Sequence, residues 1–211
     1  MSEWYRETSF LLDYPSRAEY PVILVIGALV GVIAKLLLDQ HPEADHHLFE
    51  PQDWACERLR EKFGDRPNVH IHQFGLGDQN GIFQMGLYRS DSCSFMRGLI
   101  PLKDGTWFDG ELKEFEQCMG ELGIEGIYYA SINIEAYELV LLPHMARVGW
   151  LERCETIGIS WHDDIKKTTD YAGPYSWLGH KVPGSWAMQD ILGETHKKVL
   201  ELDNWQSWAR K

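Results

Sequence analysis

The apolar and polar positions of this 211-residue chain follow two periods in turn, one of strands and one of helices. Val22 to Ile26 is a short aliphatic, β-branched run, the pattern of a buried parallel strand. Gly27 follows at once, then Gly31, and the pattern turns helical from about Leu29 to Gln40, ahead of Pro42. His47-Leu48-Phe49 predicts a second strand ending in Glu50. Asp53 is placed to cap a helix over Trp54 to Phe63, which Gly64 would close. Val69 to Phe74 predicts a third strand, and Gly75, Gly77, Asp78, Asn80 and Gly81 carry turn chemistry.

Ile82 to Tyr88 reads as a hairpin strand and 89 to 110 as a polar loop. Glu111 to Leu122 is helical in pattern, Gly126 to Ile134 a strand, Glu135 to Val148 a helix and Cys154 to Trp161 a strand. A long Gly- and Pro-containing loop is predicted over 165 to 184, then a short helix, Ser185 to Leu192, and a final strand, His196 to Leu202. Strands alternating with helices predict an α/β domain with a mostly parallel sheet covered on both faces. The chain reads as one domain: a lead-in over 1 to 20, a core over 21 to 164, and a loop or lid with the terminal strand over 165 to 211. In the lead-in, Trp4, Phe10, Leu11 and Leu12 suggest a short helix that Pro15 breaks.

Residues 21 to 38 also have about the length of a membrane span. Lys35 inside the stretch, two interrupting glycines and the lack of a basic flank favour a strand and an amphipathic helix instead. Charge narrows the partners. With 32 acids against 20 bases, net −12, the chain has no broad basic footprint for nucleic acid or for an anionic membrane surface. The opening residues MSEWYRETSF carry neither a basic start nor an apolar core, so a cytoplasmic protein is expected. Cys56, Cys93, Cys118 and Cys154 are scattered and read as reduced thiols.

An acid at the tip of a second strand, roughly 20 residues after a glycine turn, is the usual holder of a ribose in a nucleotide-like ligand. Glu50 stands there, and the glycines would let the backbone approach that ligand. Its plain alternative is an exposed strand-end carboxylate. Asp78 is either a ligand acceptor or a turn Asp bonding its own backbone. Glu135 follows a strand where open sheets bind ligands, but a carboxylate also suits a helix start. Glu138, one turn on, is equally well a solvated face. His162, Asp163 and Asp164 past a strand could bind a divalent cation or supply a general base, or simply form a polar turn. His41, His46 and His47 are separated by the Pro42 turn, and His70 and His72 share a strand face without an evident third ligand. Tyr171, Tyr175, Trp177 and Trp186 suit a lid over a substrate, or packing for the final strand.

Four ordered segments resemble the FkbM-type methyltransferases, within the class I S-adenosylmethionine-dependent superfamily. They are VIGALVG, LFEP, FGLGDQNG and SINIEAYE, and they span roughly residues 21 to 162, with a weaker echo in KVLELDNWQSW. The resemblance implies a Rossmann-like, doubly wound sheet of seven mostly parallel strands, the last inserted antiparallel. It implies S-adenosylmethionine as cofactor, held by Gly27, Ala28, Gly31, Glu50, Pro51, Gly77, Asp78 and Asn133. It further implies transfer to the hydroxyl of a small molecule or sugar, with Glu135 or His162 taking the proton. The sequence departs from the family pattern at Val25, where an acid is usual, and at Leu29, where Asn is usual. In the late motif Ser131, Asn133 and Ala136 replace the usual Lys, Asp and Gly. These departures leave a second reading open: a non-catalytic relative binding a nucleoside-like ligand or a partner protein.

Overall fold

The computed structural model describes residues 21–87, 93–94, 107–162, 185–202 and 205–211. Its main sheet has seven strands: β1 (Val22–Ile26), β2 (Asp45–Phe49), β3 (Val69–His72), β8 (Ile127–Ile132), β9 (Cys154–Ser160), β10 (His196–Leu202) and β11 (Trp205–Arg210). Their order is β10-β11-β9-β8-β1-β2-β3. The pairs β1–β2, β1–β8, β2–β3 and β8–β9 are parallel, and β11 lies antiparallel between β9 and β10. The α/β reading with a large, mostly parallel sheet holds. The inserted strand is Trp205–Arg210, a segment for which no strand was expected. Its buried Gln206 and Ser207 break the apolar pattern that would have marked it.

Side-chain alternation along β1 divides the core. Leu24 and Ile26 pack with Phe115, Met119, Leu141, Met145 and Leu192. Ile23 and Val25 pack with Leu37, Leu48, Leu59 and Phe63. The first group comes from α3 (Phe115–Leu122), α4 (Glu138–Arg147) and α5 (Ser185–Thr195). The second includes α1 (Val32–Gln40) and α2 (Asp53–Phe63). Each large aliphatic chain sealed here contributes about 1.5–3 kcal/mol of transfer free energy. The stretch 21 to 38 is thus a strand, a turn and a nine-residue helix. No helix among the described residues is long and apolar enough to cross a membrane.

A second sheet stands between β3 and β8 in the chain. It contains β4 (Gly75–Gly77), β5 (Gly81–Leu87), β6 (Cys93–Ser94) and β7 (Trp107–Glu114), in the order β4-β7-β5-β6. The turn expected at Gly75 is therefore a short strand, and the loop and helix expected over 107 to 114 are a strand paired antiparallel with β5. Helix α3 begins at Phe115 because the Glu114 carboxylate accepts from the backbone N–H of Glu116 and Gln117. At α2 the N-cap is Gln52 rather than Asp53, and Gly64 closes the helix with right-handed dihedrals. The lead-in, the 165 to 184 loop and Asp163 and Asp164 lie outside the described residues, as do Tyr171, Tyr175 and Trp177 and the side chain of Trp186.

Candidate functional site

Strand order reverses at β1, which has β8 on one side and β2 on the other. In an open α/β sheet such a reversal leaves a crevice at the carboxyl ends of the strands. Backbone hydrogen bonds tie these ends together: Gly27 N and Ala28 N donate to Phe49 O, Asn133 N to Ile26 O, and Glu50 N to His72 O. A cavity with an empty volume of about 590 Å3, part of it open to solvent, sits at these tips.

The glycine turn is built for close backbone packing. Gly27 has φ +84°, and a Cβ there would lie 2.0 Å from the Asn133 carbonyl oxygen. The glycine thus lets the β1 turn meet the β8 turn, and it also lines the cavity. Gly31 instead faces Phe63 and Leu59 and caps α1 in the left-handed conformation. Leu29, Glu135 and Ala136 are non-glycine residues with φ of +45°, +52° and +76°. Such backbone is uncommon and gathers at functional sites. Here all three flank the same cavity, two of them as lining residues.

Glu50 lines the cavity from the tip of β2 and is only 3% exposed. Its Oε2 accepts from Leu29 N at 2.8 Å and its Oε1 from Gln52 N at 3.0 Å. Burial raises the Glu50 carboxyl above the usual range, while the Gln52 and Leu29 N–H groups pull it back. The Gln52 side chain adds a further hydrogen bond to the same carboxylate. Glu50 is therefore a buried, backbone-anchored acceptor and not an exposed strand-end acid. Across the cavity, Asn133 Oδ1 is buried and has no hydrogen-bond partner. A buried acceptor without a donor is uncommon and asks for one.

The remaining wall is Ile26, Phe49, Leu76, Met85, Ile134 and Tyr137, with Cys93 from β6. No basic side chain lines the cavity among the described residues; its charged groups are Glu50 and Glu135. Such a wall suits a cationic or neutral ligand with hydrogen-bond donors and repels a pyrophosphate. Pro51 also lines it, whereas Ala28, Gly31, Gly77 and Asp78 do not. Ala28 is a core residue. Asp78 accepts at 2.8 Å from the hydroxyl of Tyr137, which itself lines the cavity. Gln52, Met85, Cys93 and Tyr137 were missed in the sequence: Gln52 caps α2 beside Glu50, pairing of β5 with β7 and β6 brings in Met85 and Cys93, and the turn before α4 brings in Tyr137. Burial, with the Glu50 and Glu135 carboxylates adding, pushes the Cys93 thiol well above its ordinary pKa.

Glu135 and His162 come together: Glu135 Oε2 lies 3.7 Å from His162 Nε2. The other side of the ring meets Glu138, whose Oε1 is 3.0 Å from His162 Nδ1. Glu138, which could have been a solvated face, is completely buried. The histidines of β2 and β3 form a separate group. His47 Nδ1 is 3.0 Å from His72 Nε2, and the His70 ring lies tilted against His47 with centroids 4.6 Å apart. Burial and the neighbouring histidines push His47 down to about 3, and burial with His70 and Lys113 pushes His72 down to about 4. No group of three or more His, Cys, Asp or Glu among the described residues could hold a metal ion.

No protein-family model matches the chain, and no curated protein matches it in sequence. Solved structures do. A methyltransferase FkbM from Methylobacillus flagellatus KT is similar over 97% of this chain and 46% of its own, with 10% identity and a TM-score of 0.52. A fibrillarin/Nop5p complex is similar over 99% of this chain and 83% of the matched one, with 12% identity and a TM-score of 0.54. The chain thus spans less than half the length of the FkbM structure. At these identities the likeness defines the fold: it is a methyltransferase fold, shared with an FkbM methyltransferase.

Proposed function

We propose that the chain is an S-adenosylmethionine-dependent methyltransferase acting on a hydroxyl of a small molecule or sugar. The observation that carries this reading is the cavity wall: a buried carboxylate at the β2 tip opposite an orphaned Asn133 oxygen, with no basic group among the described lining. The residues present fit the cofactor. Glu50 would accept from its ribose hydroxyls, Asn133 Oδ1 from a polar hydrogen, and Phe49, Leu76 and Met85 would cover an apolar ring face. When bound, the cofactor supplies an electrophilic methyl group on a sulfonium, whose bonding electron pair stays with sulfur on transfer.

The chain's own task is positioning and removal of one proton. Glu135 lines the cavity and His162 stands behind it, so a hydroxyl held at the wall loses its proton to this pair as its oxygen forms the new C–O bond. The acid that the family usually places at Val25 has no counterpart in the cavity: Val25 is 2% exposed and packed in the core. The ammonium end of the cofactor would then be met by Asn133 and by backbone carbonyls, with weaker binding as the consequence. Incubation with methyl-labelled S-adenosylmethionine and a panel of hydroxyl-bearing small molecules tests the reading. Label in an acceptor, reduced at least tenfold in Glu135→Gln, is the expected result. Wild-type protein that binds S-adenosylmethionine but labels no member of a broad panel favours the non-catalytic alternative.

A further inference from the structure

We propose that Gln52, itself oriented by Trp54, is a positioning residue that aims the Glu50 carboxylate into the cavity as a hydrogen-bond acceptor. The inference rests on the methyl-transfer reading above, in which Glu50 takes the ribose hydroxyls. Gln52 is the N-cap of α2 and is 3% exposed. A polar side chain at that position usually turns back to bond the first turn of the helix. The Gln52 side chain makes no such bond. It reaches Glu50 and Trp54 instead. The Gln52 backbone N–H donates to Glu50 Oε1 at 3.0 Å, and its side chain makes a second bond to the same carboxylate. Trp54 Nε1 donates to Gln52 Oε1 at 3.1 Å. An indole N–H can only donate and a carboxylate can only accept. One orientation of the amide serves both, with Oε1 toward Trp54 and Nε2 toward Glu50. The indole therefore fixes which end of Gln52 the carboxylate meets.

A buried carboxylate keeps its charge only where donors replace the lost water. Burial lifts the Glu50 carboxyl, and the Gln52 and Leu29 donors oppose that rise. Leu29 N holds Oε2 from the turn after β1, while Gln52 holds the group from the start of α2. Two anchors on different elements fix the carboxylate between them. Among the described residues, the other titratable groups that face Glu50 are Cys56, Cys93 and Glu135. Cys56 on α2 donates its thiol to the Glu50 carbonyl oxygen at 3.0 Å, and burial pushes it up to about 12. Burial also pushes Cys93 on β6 well up. Both thiols are neutral near pH 7, which leaves Glu135, lining the same cavity, as the second charge. Ribose hydroxyls donate more strongly to a carboxylate than to a carboxylic acid. Removing the Gln52 amide raises the Glu50 pKa, so affinity lost on acidification is lost at a higher pH.

The test begins on the free protein. Carboxyl 13C NMR of glutamate-labelled protein follows Glu50 through a pH titration, with Glu50→Gln and Glu135→Gln assigning the two signals. Gln52→Met keeps the side-chain length and the backbone N–H but removes the amide, and should raise the Glu50 pKa by about one pH unit. Trp54→Phe keeps the amide and removes the donor that orients it, at a residue 41% exposed. It should raise the Glu50 pKa by less. An unchanged Glu50 titration in either variant overturns the inference, and the surface position of Trp54 keeps that test open should Gln52→Met not fold. Calorimetry with S-adenosylmethionine from pH 8 downward supplies the second readout. Gln52→Met should bind close to wild type at pH 8 and fall behind it by up to about tenfold as the pH drops through the raised pKa. A Gln52 that only shapes the wall predicts the same deficit at every pH, and that result overturns the inference. Wild-type protein that binds no S-adenosylmethionine instead defeats the methyl-transfer reading, and the titration of the free protein still decides the Gln52–Glu50 pair.

Discussion

Replacing Val25 with aspartate asks whether the second position before Gly27 faces the cavity or the core. In the structure Val25 is 2% exposed, lies opposite Leu48 on one side and Ser131 on the other, and packs with the α1 and α2 cluster. Losing the buried valine costs about 1.5–3 kcal/mol. A carboxyl placed there has no partner, and burial of that kind raises its pKa by roughly 3 units, or about 4 kcal/mol at pH 7. The sum, roughly 5–7 kcal/mol, rivals the whole stability of an ordinary domain.

The pH dependence gives the sharper check. The carboxyl is raised in the folded state, so its penalty is absent below the unfolded pKa of about 3.9 and grows until the pH reaches the folded value near 7. Because the folded carboxyl is half titrated near pH 7, lowering the pH from 7 to 5 should return about 2 kcal/mol to the variant relative to wild type. Urea unfolding followed by tryptophan fluorescence, at both pH values and for both proteins, measures this. A variant within about 1 kcal/mol of wild type would place the position outside the core. A loss that is large but equal at the two pH values would refute the buried-carboxylate account.

Glu50→Ala should weaken cofactor binding by about 1–3 kcal/mol and, because its carboxylate anchors Leu29 N and Gln52 N, should also lower the melting temperature of the free protein. A strand-tip acid would have left the free protein unchanged, so calorimetry paired with a thermal melt separates ligand role from scaffold role. Burial holds His47 at about 3 against about 6.5 in the unfolded chain. The unfolded state therefore binds the extra proton between these values, and folding stability falls as pH drops through 6.5 toward 3. His47→Leu should shrink the stability difference between pH 7 and pH 5 by about 2 kcal/mol in urea titrations; an unchanged difference would mean that His47 is charged in the folded state.

The start of the fold is legible because Val22 to Ile26 is an unbroken β-branched run and Gly27 marks the turn that nothing larger fits. Glu50 is legible for the same local reason, by its distance from that turn. Strand β7 is not, since WFDGELKE owes its conformation to pairing with β5 some 25 residues away. Strand β11 is hidden by its buried Gln206 and Ser207. The burial of Glu138 could not be read either, because its partner His162 lies on another element. Val25 marks the other limit: the family pattern places an acid there, and only the packing of α1 and α2 shows that the side chain is sealed.

The central claim, that the β1–β2–β8 cavity is a cofactor site, is tested most directly by isothermal titration calorimetry with S-adenosylmethionine and S-adenosylhomocysteine, using NAD as the anionic control. The account predicts binding of both sulfur ligands with Kd of roughly tens to hundreds of micromolar, about −5 to −6.5 kcal/mol, and no heat from NAD. Binding of NAD in preference to either, or no binding of S-adenosylmethionine and S-adenosylhomocysteine at millimolar concentration, would contradict it.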